Sequence, residues 1–372
     1  MAQAHPSRTT RWLPARTAVA LAPEMPLLLV CALYSLSVMV VAVLLGRPDA
    51  FDLFLYTGPV GLLLGVALFA LIIARILNLA LIERERQPIA RLARDMKAHF
   101  GSQRTLFAYA VPIIAISLFV SAYTSFKGLI PALQPFAWDE TLFRLDRAVH
   151  FGIDPWRLTH AVFGSASATL AINAAYNVWF GLLWLSLFVA VLELGKPRLR
   201  AHYLLSFALS WIVIGSLLAL LFSSAGPCYY GPILGAPDPY APLMARLHEI
   251  DGALRQAPWP GRLWVLETQN LLWTKYLASS NGIGAGISAM PSMHVATATL
   301  MALAAWRIFV WLGVAMTLYA AVILIGSVHL GWHYALDGYV SIALAIAIWK
   351  LVGWMLPRLL PGEARADSAA GA

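Results

Sequence analysis

The amino-acid sequence predicts an all-α, polytopic membrane protein, a bundle of about eight transmembrane helices. Hydrophobic residues make up 60% of the 372-residue chain and charged residues only 12%. An ordinary soluble domain has about 25% charged residues. The apolar residues also lie in long continuous runs, and about 20 such residues are needed for a helix to cross the hydrocarbon core.

The apolar runs divide the chain into spans and connections. We place eight spans at approximately 25–46, 55–82, 105–125, 167–194, 203–224, 291–306, 308–328 and 338–356. Residues 1–104 then form an N-terminal tail, two spans and a basic loop. Residues 105–356 form a six-helix membrane domain, and residues 357–372 form a C-terminal tail. The arginines before the first span lack a following cleavage site, so this span is predicted to be a retained anchor.

The distribution of basic residues predicts the orientation. With eight spans both termini share one side, and that side holds 17 of the 26 Lys and Arg residues, many of them in the 83–104 loop. We therefore expect both termini to be cytoplasmic in an inner (cytoplasmic) membrane. No soluble basic domain is present that would predict a nucleic-acid partner. Cys31 and Cys228 form neither a disulfide framework nor a metal-like spacing.

Two segments on the opposite, non-cytoplasmic side are long. Segment 126–166 interleaves Trp, Phe and Leu with Asp and Arg, which is typical of an amphipathic helix lying at the membrane interface. Segment 225–290 is rich in Pro and Gly and too polar to span. Long connections of this composition are usually functional or disordered, and its tryptophans favour a loop folded onto the membrane surface.

The stretch GWHYALDGY carries the first candidate pair. His333 and Asp337 are four residues apart, so on a helix they lie on one face. A carboxylate in this place accepts the imidazole N–H and raises the basicity of the other ring nitrogen. The alternative is an ordinary surface pair, but ionisable groups beside a membrane span are functional by default.

A second imidazole, His294, follows MPSM at the start of the sixth predicted span. Proline and serine are typical of a helix start, and Ser292 suits the capping position. A helix N-terminus favours an anion such as phosphate. The predicted topology brings His294, His333 and the 225–290 loop to one membrane face. One imidazole would then attack phosphorus while the other protonates the leaving oxygen.

Other uses of the same residues remain open. His329, His333 and Asp337 follow at four-residue intervals and, with His294, would form a metal site only if the helix broke near Gly331. Ser292 lacks the small flanking residues of a hydrolase nucleophile elbow. A transporter would use the cluster as a proton or substrate site, although such sites lie near the bilayer midplane.

PSMH followed about forty residues later by HYALD resembles the second and third motifs of the type 2 phosphatidic acid phosphatase superfamily. AMPSMHVA and GWHYALDGY, with WDETLFRLDRAVHFG, AAYNVWF and FSSAGPCYYG, more narrowly resemble the branch of inositol phosphorylceramide synthases and related bacterial proteins. The resemblance covers roughly residues 130–345. It implies a six-helix catalytic core within residues 105–356, preceded by two additional spans.

The resemblance also implies roles for individual residues. His333 matches the nucleophile, Asp337 its orienting carboxylate, His294 the acid and Ser292 a phosphate contact, in an enzyme that uses no metal or other cofactor. Hydrolytic members carry an Arg six residues before the nucleophile, where this chain has Ser327, and a Lys-x6-Arg-Pro motif, where it has SSAGPCYYGP. A site without these cations is better matched to a singly charged phosphodiester than to a phosphomonoester dianion.

The function expected from the sequence is therefore lipid phosphotransfer on the periplasmic or extracellular face. A phospholipid donor would pass an inositol-phosphate-like headgroup to a lipid alcohol, such as a ceramide or a diacylglycerol, through phosphohistidine. We expect helix N–H groups and loop side chains to hold the phosphate, and name Tyr229, Tyr230, Lys275 and Arg262 as candidates. A lipid phosphate phosphatase is the nearest alternative, and a lipid transporter or lipid-binding protein is the alternative of another class.

Overall fold

The computed structural model describes residues 24–193, 195–235, 237–258, 261–280 and 282–359. These residues form helices and connecting loops without any strand. We number the α-helices α1 Met25–Leu44, α2 Thr57–Leu77, α3 Pro88–Phe100, α4 Gln103–Leu133, α5 Asp139–Val149, α6 Pro155–Phe163, α7 Ala166–Leu192, α8 Pro197–Ile212, α9 Tyr230–Leu234, α10 Ala241–Gln256, α11 Trp264–Leu277, α12 Met293–Ala305, α13 Val310–His329 and α14 Ala335–Leu359.

Helical structure continues beyond two of these helices. A π-helical turn, Asn78–Ile82, extends α2, and α8 continues through a π-helical segment, Val213–Leu218, and a last turn, Ala219–Leu221. Short 3₁₀ turns occur at Pro48–Ala50 and Pro227–Tyr229. The N-terminal tail before residue 24 and the predicted tail from residue 360 onward lie outside the described residues.

Seven helices in the described part of the chain are long and apolar enough to cross a membrane, namely α1, α2, α4, α7, α8, α13 and α14 with the extensions of α2 and α8. This confirms the predicted polytopic helical bundle. The predicted span 291–306 is instead the 13-residue helix α12, about 20 Å long at 1.5 Å per residue. A hydrocarbon core is about 30 Å thick, so α12 is too short to cross it alone.

The short helix α12 lies at the centre of the bundle. It packs against α7, α8, α13 and α14, and most of its side chains are buried. The outermost span is α2, which buries only Val60 and exposes large apolar residues such as Leu62 and Phe69. Because apolar side chains are stable in contact with lipid tails, this exposure fits a bilayer environment.

Helix α4 extends beyond the predicted span 105–125 as far as Leu133. The serines in its second half are satisfied within the helix. Ser121 Oγ donates to Ser117 O at 2.8 Å, and Ser125 Oγ donates to Ser121 O at 3.1 Å. Serine that bonds to the carbonyl one turn earlier can remain inside a helix. Because α4 ends at Leu133, Lys127, predicted to lie in the 126–166 segment, belongs to this helix.

The two long connections are folded. Helices α5 and α6 occupy the rest of segment 126–166, and α9, α10 and α11 lie within segment 225–290. Two hydrogen bonds connect helix α11 to the rest of the bundle. Val265 N donates to Asn173 Oδ1 at 3.2 Å, and Gln269 Nε2 donates to Leu330 O at 3.0 Å. The second contact holds the loop that leads into His333.

Candidate active site

His333 lies in the tight loop between α13 and α14. Both Trp332 N and His333 N donate to Ser327 O at 3.0 Å, which folds the loop back on the end of α13. His333 Nδ1 lies 2.9 Å from Ala289 O and 3.3 Å from Asp337 Oδ2. A backbone carbonyl only accepts hydrogen bonds, so Nδ1 carries the proton. The lone pair is therefore on Nε2, which is the ring nitrogen free to act as a base or a nucleophile.

Asp337 stands in the first turn of α14 and is fully buried. Its Oδ2 accepts from Tyr334 N at 3.0 Å as well as from His333 Nδ1. The backbone of Asp337 joins α14 to the start of α12, since Ser292 N donates to Asp337 O at 3.4 Å. One residue thus orients the imidazole and ties together the two helix starts that carry the histidines.

Replacing Asp337 with Asn is expected to lower the turnover number by about 10- to 100-fold, since a hydrogen bond to a charged group contributes about 1.5–3 kcal/mol. Ala289 O still fixes the imidazole tautomer in this variant, so activity should be reduced and not lost. Initial rates of lipid phosphate turnover would measure the effect. A variant as inactive as one without His333 would show that Ala289 O does not hold the tautomer.

His294 is held between two aromatic rings of α7. Its ring stacks on Tyr176 at 4.7 Å between centroids and lies 4.0 Å from the Trp179 ring. Trp179 Nε1 donates to Thr297 Oγ1 at 2.9 Å, which fixes the indole. The His294 and His333 rings are 6.1 Å apart at an angle of 62°. The imidazole of His294 makes no hydrogen bond to the described residues, so its nitrogens remain available to a substrate.

Ser292 caps α12, as the MPSM stretch predicts. Its side chain accepts from Val295 N at 3.5 Å, and the residue is fully buried. The cap places the positive end of the α12 dipole directly before His294. The contact of Ser292 with phosphate stays a prediction.

Three of the other predicted phosphate-binding residues have contacts of their own, namely Tyr229, Tyr230 and Arg262. Tyr229 Oη donates to Gln269 O at 3.0 Å, and the Tyr230 ring packs near Tyr240. Arg262 pairs with Glu267 at 3.0 Å. Lys275 extends to the glycine loop, which we define as residues 282–288: a Cβ built on Gly282 would lie 2.6 Å from Lys275 Nζ. In the described part of the chain, no hydrogen bond, ion pair or ring contact links any of these four side chains to His294 or His333.

His329 does not extend the His333–Asp337 pair toward a metal site. Its ring stacks on His160 at 3.9 Å, and its Nε2 lies 3.0 Å from Thr169 Oγ1. The helix ends at His329, so the continuous helix that would align it with His333 is interrupted. The structure forms no group of three or more potential metal-ligating side chains in its described ranges.

Two buried carboxylates of α5 accept hydrogen bonds from the backbone and side chains around His333. Sequence reasoning missed both. Asp139 accepts from Ala225 N and Gly226 N and from Tyr334 Oη, the last at 2.8 Å. Asp146 accepts from Ala335 N and Leu336 N at 3.0 Å each, and so caps α14. Burial raises the pKa of both carboxyls, and these donors oppose the increase. The predicted amphipathic helix therefore turns acids, and not only apolar groups, inward.

Removing the Asp146 carboxylate is expected to destabilise the start of α14. Two buried N–H groups would lose their acceptor, which costs about 1–3 kcal/mol per group. We expect Asp146→Ala to lower the melting temperature in detergent and to reduce activity, with Asp146→Asn intermediate. Glu140 is exposed on the same helix, so Glu140→Ala serves as the matched control. Equal melting temperatures for the two alanine variants would contradict this role.

Lys127 on α4 is a third residue that sequence reasoning missed. Its side chain is half-buried and lies within electrostatic range of His294. It also contacts the glycine loop, since a Cβ built on Gly286 would lie 2.8 Å from Lys127 Cγ. No local pattern predicted this placement, because Lys127 and Gly286 are 159 positions apart and the span was predicted to end before Lys127.

The fold and the paired histidines together define a membrane enzyme of phosphoester chemistry. A family model described as PAP2 superfamily matches residues 140–351, more than half of the chain. The chain belongs to the PAP2 superfamily, whose members are phosphatases and phosphotransferases, and it is an enzyme acting on phosphoesters. No curated protein and no solved structure matches the chain.

Proposed function

We propose that this protein is a lipid phosphotransferase that moves a phospho-headgroup from a phospholipid to a lipid alcohol through phospho-His333. The observation that carries the proposal is the hydrogen bonding of the two histidines. Nδ1 of His333 is bound to a carbonyl, which leaves Nε2 as a nucleophile. The second imidazole, 6.1 Å away between ring centroids, has no hydrogen-bond partner in the described structure.

In the first half-reaction His333 Nε2 attacks the phosphorus of the donor phosphodiester. The N–P bond forms as the P–O bond to the diacylglycerol breaks, and His294 gives its proton to the departing oxygen. The headgroup phosphate then remains on His333 as a phosphoramidate with one negative charge. Asp337 and Ala289 O, which hold Nδ1–H, stabilise the imidazole as positive charge develops on it.

In the second half-reaction the lipid alcohol attacks the same phosphorus. Its proton passes to His294, now the general base, and the P–O bond forms as the N–P bond breaks. The product is a new phosphodiester, and both histidines return to their starting states. If the donor is instead a lipid phosphomonoester and water replaces the alcohol, the same steps release the lipid alcohol and then inorganic phosphate, which is the alternative of a lipid phosphate phosphatase.

The charge of the site favours transfer of a diester. Ser327 stands where hydrolytic relatives are expected to carry an arginine, and its Oγ donates to Leu324 O at 2.8 Å. A phosphomonoester dianion needs more cationic partners than a monoanionic diester. We therefore propose an inositol-phosphate-like donor and a ceramide- or diacylglycerol-like acceptor, handled at the non-cytoplasmic face. The start of α12 and the end of α13 lie together, since the His294 and His333 rings are 6.1 Å apart. We therefore count α12 and α13 as one return passage and propose that both termini are cytoplasmic.

Purified protein in mixed vesicles tests the proposal. The donor carries a ³²P-labelled phosphodiester, and ceramide or diacylglycerol is the acceptor. Label that appears in a second lipid, and rises with acceptor concentration, is the expected result. Label released as a water-soluble phosphate at the same rate with or without acceptor would refute transfer and favour hydrolysis.

A further inference from the structure

Lys127 lies on the part of the chain that the family model does not match. That model begins at residue 140, whereas Lys127 stands near the end of α4. We propose that Lys127 binds the substrate phosphate and is the cation that suits this site to a phosphodiester. This inference rests on the function proposed above, and it assigns the role that loop side chains were expected to fill.

The first observation is that Lys127 has no anionic partner. Its half-buried side chain forms no ion pair and no hydrogen bond with the described residues. An ammonium that is partly desolvated without a counter-ion is costly, and cations within membrane domains usually serve function. An anion that arrives with the substrate would supply the missing partner.

The second observation is the proximity of Lys127 to the paired histidines. Its charge is within electrostatic range of His294, and its stem packs on the glycine loop that leads to Ala289. Because His294 protonates the leaving oxygen in the proposed mechanism, a cation within its range is also within range of the reacting phosphate.

The third observation is the close packing of the glycine loop on Lys127. Gly286 has φ +89°, a conformation that side chains other than glycine rarely adopt, and a Cβ there would lie 2.8 Å from Lys127 Cγ. Gly284 N donates to Tyr56 Oη at 2.9 Å, which fixes the outer part of the loop. The loop thus lies directly against the lysine stem.

The same loop leads to the nucleophile. Ser288, two residues after Gly286, has a buried hydroxyl oxygen with no hydrogen-bond partner in the described structure. The next residue, Ala289, accepts from His333 Nδ1. A short stretch of backbone therefore connects the stem of Lys127 to the tautomer-setting carbonyl of His333. The Lys127 ammonium, whose stem packs on Gly286, and the Ser288 hydroxyl are two unpaired donors beside this stretch. A phosphate oxygen can accept a hydrogen bond from each.

The charge count explains the choice of substrate. One ammonium balances the single negative charge of a diester, whereas a monoester carries between one and two negative charges at neutral pH. Lysine also acts as a point charge without the bidentate geometry of arginine. Lys127 should therefore bind a diester phosphate well and leave a monoester incompletely neutralised.

Two neutral variants, Lys127→Met and Lys127→Gln, test the proposal with Lys127→Arg as the charge-conserving variant. Lys97 is exposed on α3, and Lys97→Met is the matched control. One readout is the orthovanadate concentration that half-maximally stabilises the purified protein against heat. The other is kcat/KM for a labelled phosphodiester lipid in vesicles.

For the neutral variants, we expect the half-maximally stabilising orthovanadate concentration to rise by about 10-fold or more. We expect kcat/KM to fall by about 10- to 100-fold, as for a lost charge-assisted hydrogen bond. Lys127→Arg should recover most of both, and Lys97→Met should match the wild type. Unchanged orthovanadate stabilisation in a folded neutral variant would overturn the proposal. The orthovanadate measurement needs no acceptor lipid. It therefore tests phosphate binding by Lys127 even if the wild type proves to be a hydrolase.

Discussion

Replacing His333 with Gln is expected to lower lipid phosphate turnover by about 10⁴-fold or more, because the covalent route depends on its Nε2. Glutamine retains a side-chain N–H that can donate to Ala289 O, so the loop should stay folded. It offers no nitrogen lone pair to phosphorus. The loss should therefore fall on kcat, and the melting temperature in detergent should change little.

His248 provides the control for this variant, since it is exposed on α10 and has no role in the proposed mechanism. His248→Gln should turn over substrate at the wild-type rate. If His333→Gln retained more than about a tenth of that rate, a residue other than His333 would have to be the nucleophile, and both the transferase and the phosphatase interpretations would be wrong.

Replacing His294 with Asn is expected to lower turnover of a natural phospholipid by about 10²- to 10⁴-fold, the usual contribution of a general acid. An alkoxide is a poor leaving group, so the departing diacylglycerol oxygen needs the proton that His294 supplies. The contacts of Tyr176 and Trp179 show that the ring is held in place before substrate binds.

The leaving group separates this role from a structural one. A donor with a p-nitrophenyl leaving group departs without protonation, so His294→Asn should process it at close to the wild-type rate in the first half-reaction. The burst of p-nitrophenol measures that step. An equal loss with both donors would show that His294 supports the fold of the site and does not protonate the leaving oxygen.

The sequence predicted that the two histidines and the aspartate lie at one membrane face, because the order of the spans alone brings them there. His294 starts one helix, and His333 and Asp337 lie where the next connection returns to the same side. The four-residue spacing of His333 and Asp337 predicted their contact, and the structure places their atoms 3.3 Å apart. Ser292 at the start of α12 followed from the helix-capping preference of serine.

Other features depend on tertiary packing that carries no local signal. Ala289 O is nearer to His333 Nδ1 than the predicted carboxylate is, but a backbone acceptor cannot be identified from residue types. The inward direction of Asp139 and Asp146 depends on how α5 packs on the loops around His333. The placement of Lys127 was missed because α4 continues to Leu133, beyond the predicted end of its span.

The most direct test of the central claim is to trap the covalent intermediate. Purified protein is mixed with a ³²P-labelled phosphodiester donor without acceptor, quenched in alkali and digested. We expect one acid-labile, alkali-stable label per chain on the peptide that contains His333, no label on His333→Gln, and transfer of the label to lipid when ceramide or diacylglycerol is added. A wild-type protein that turns over the donor without labelling His333, or whose label passes only to water, would contradict the account.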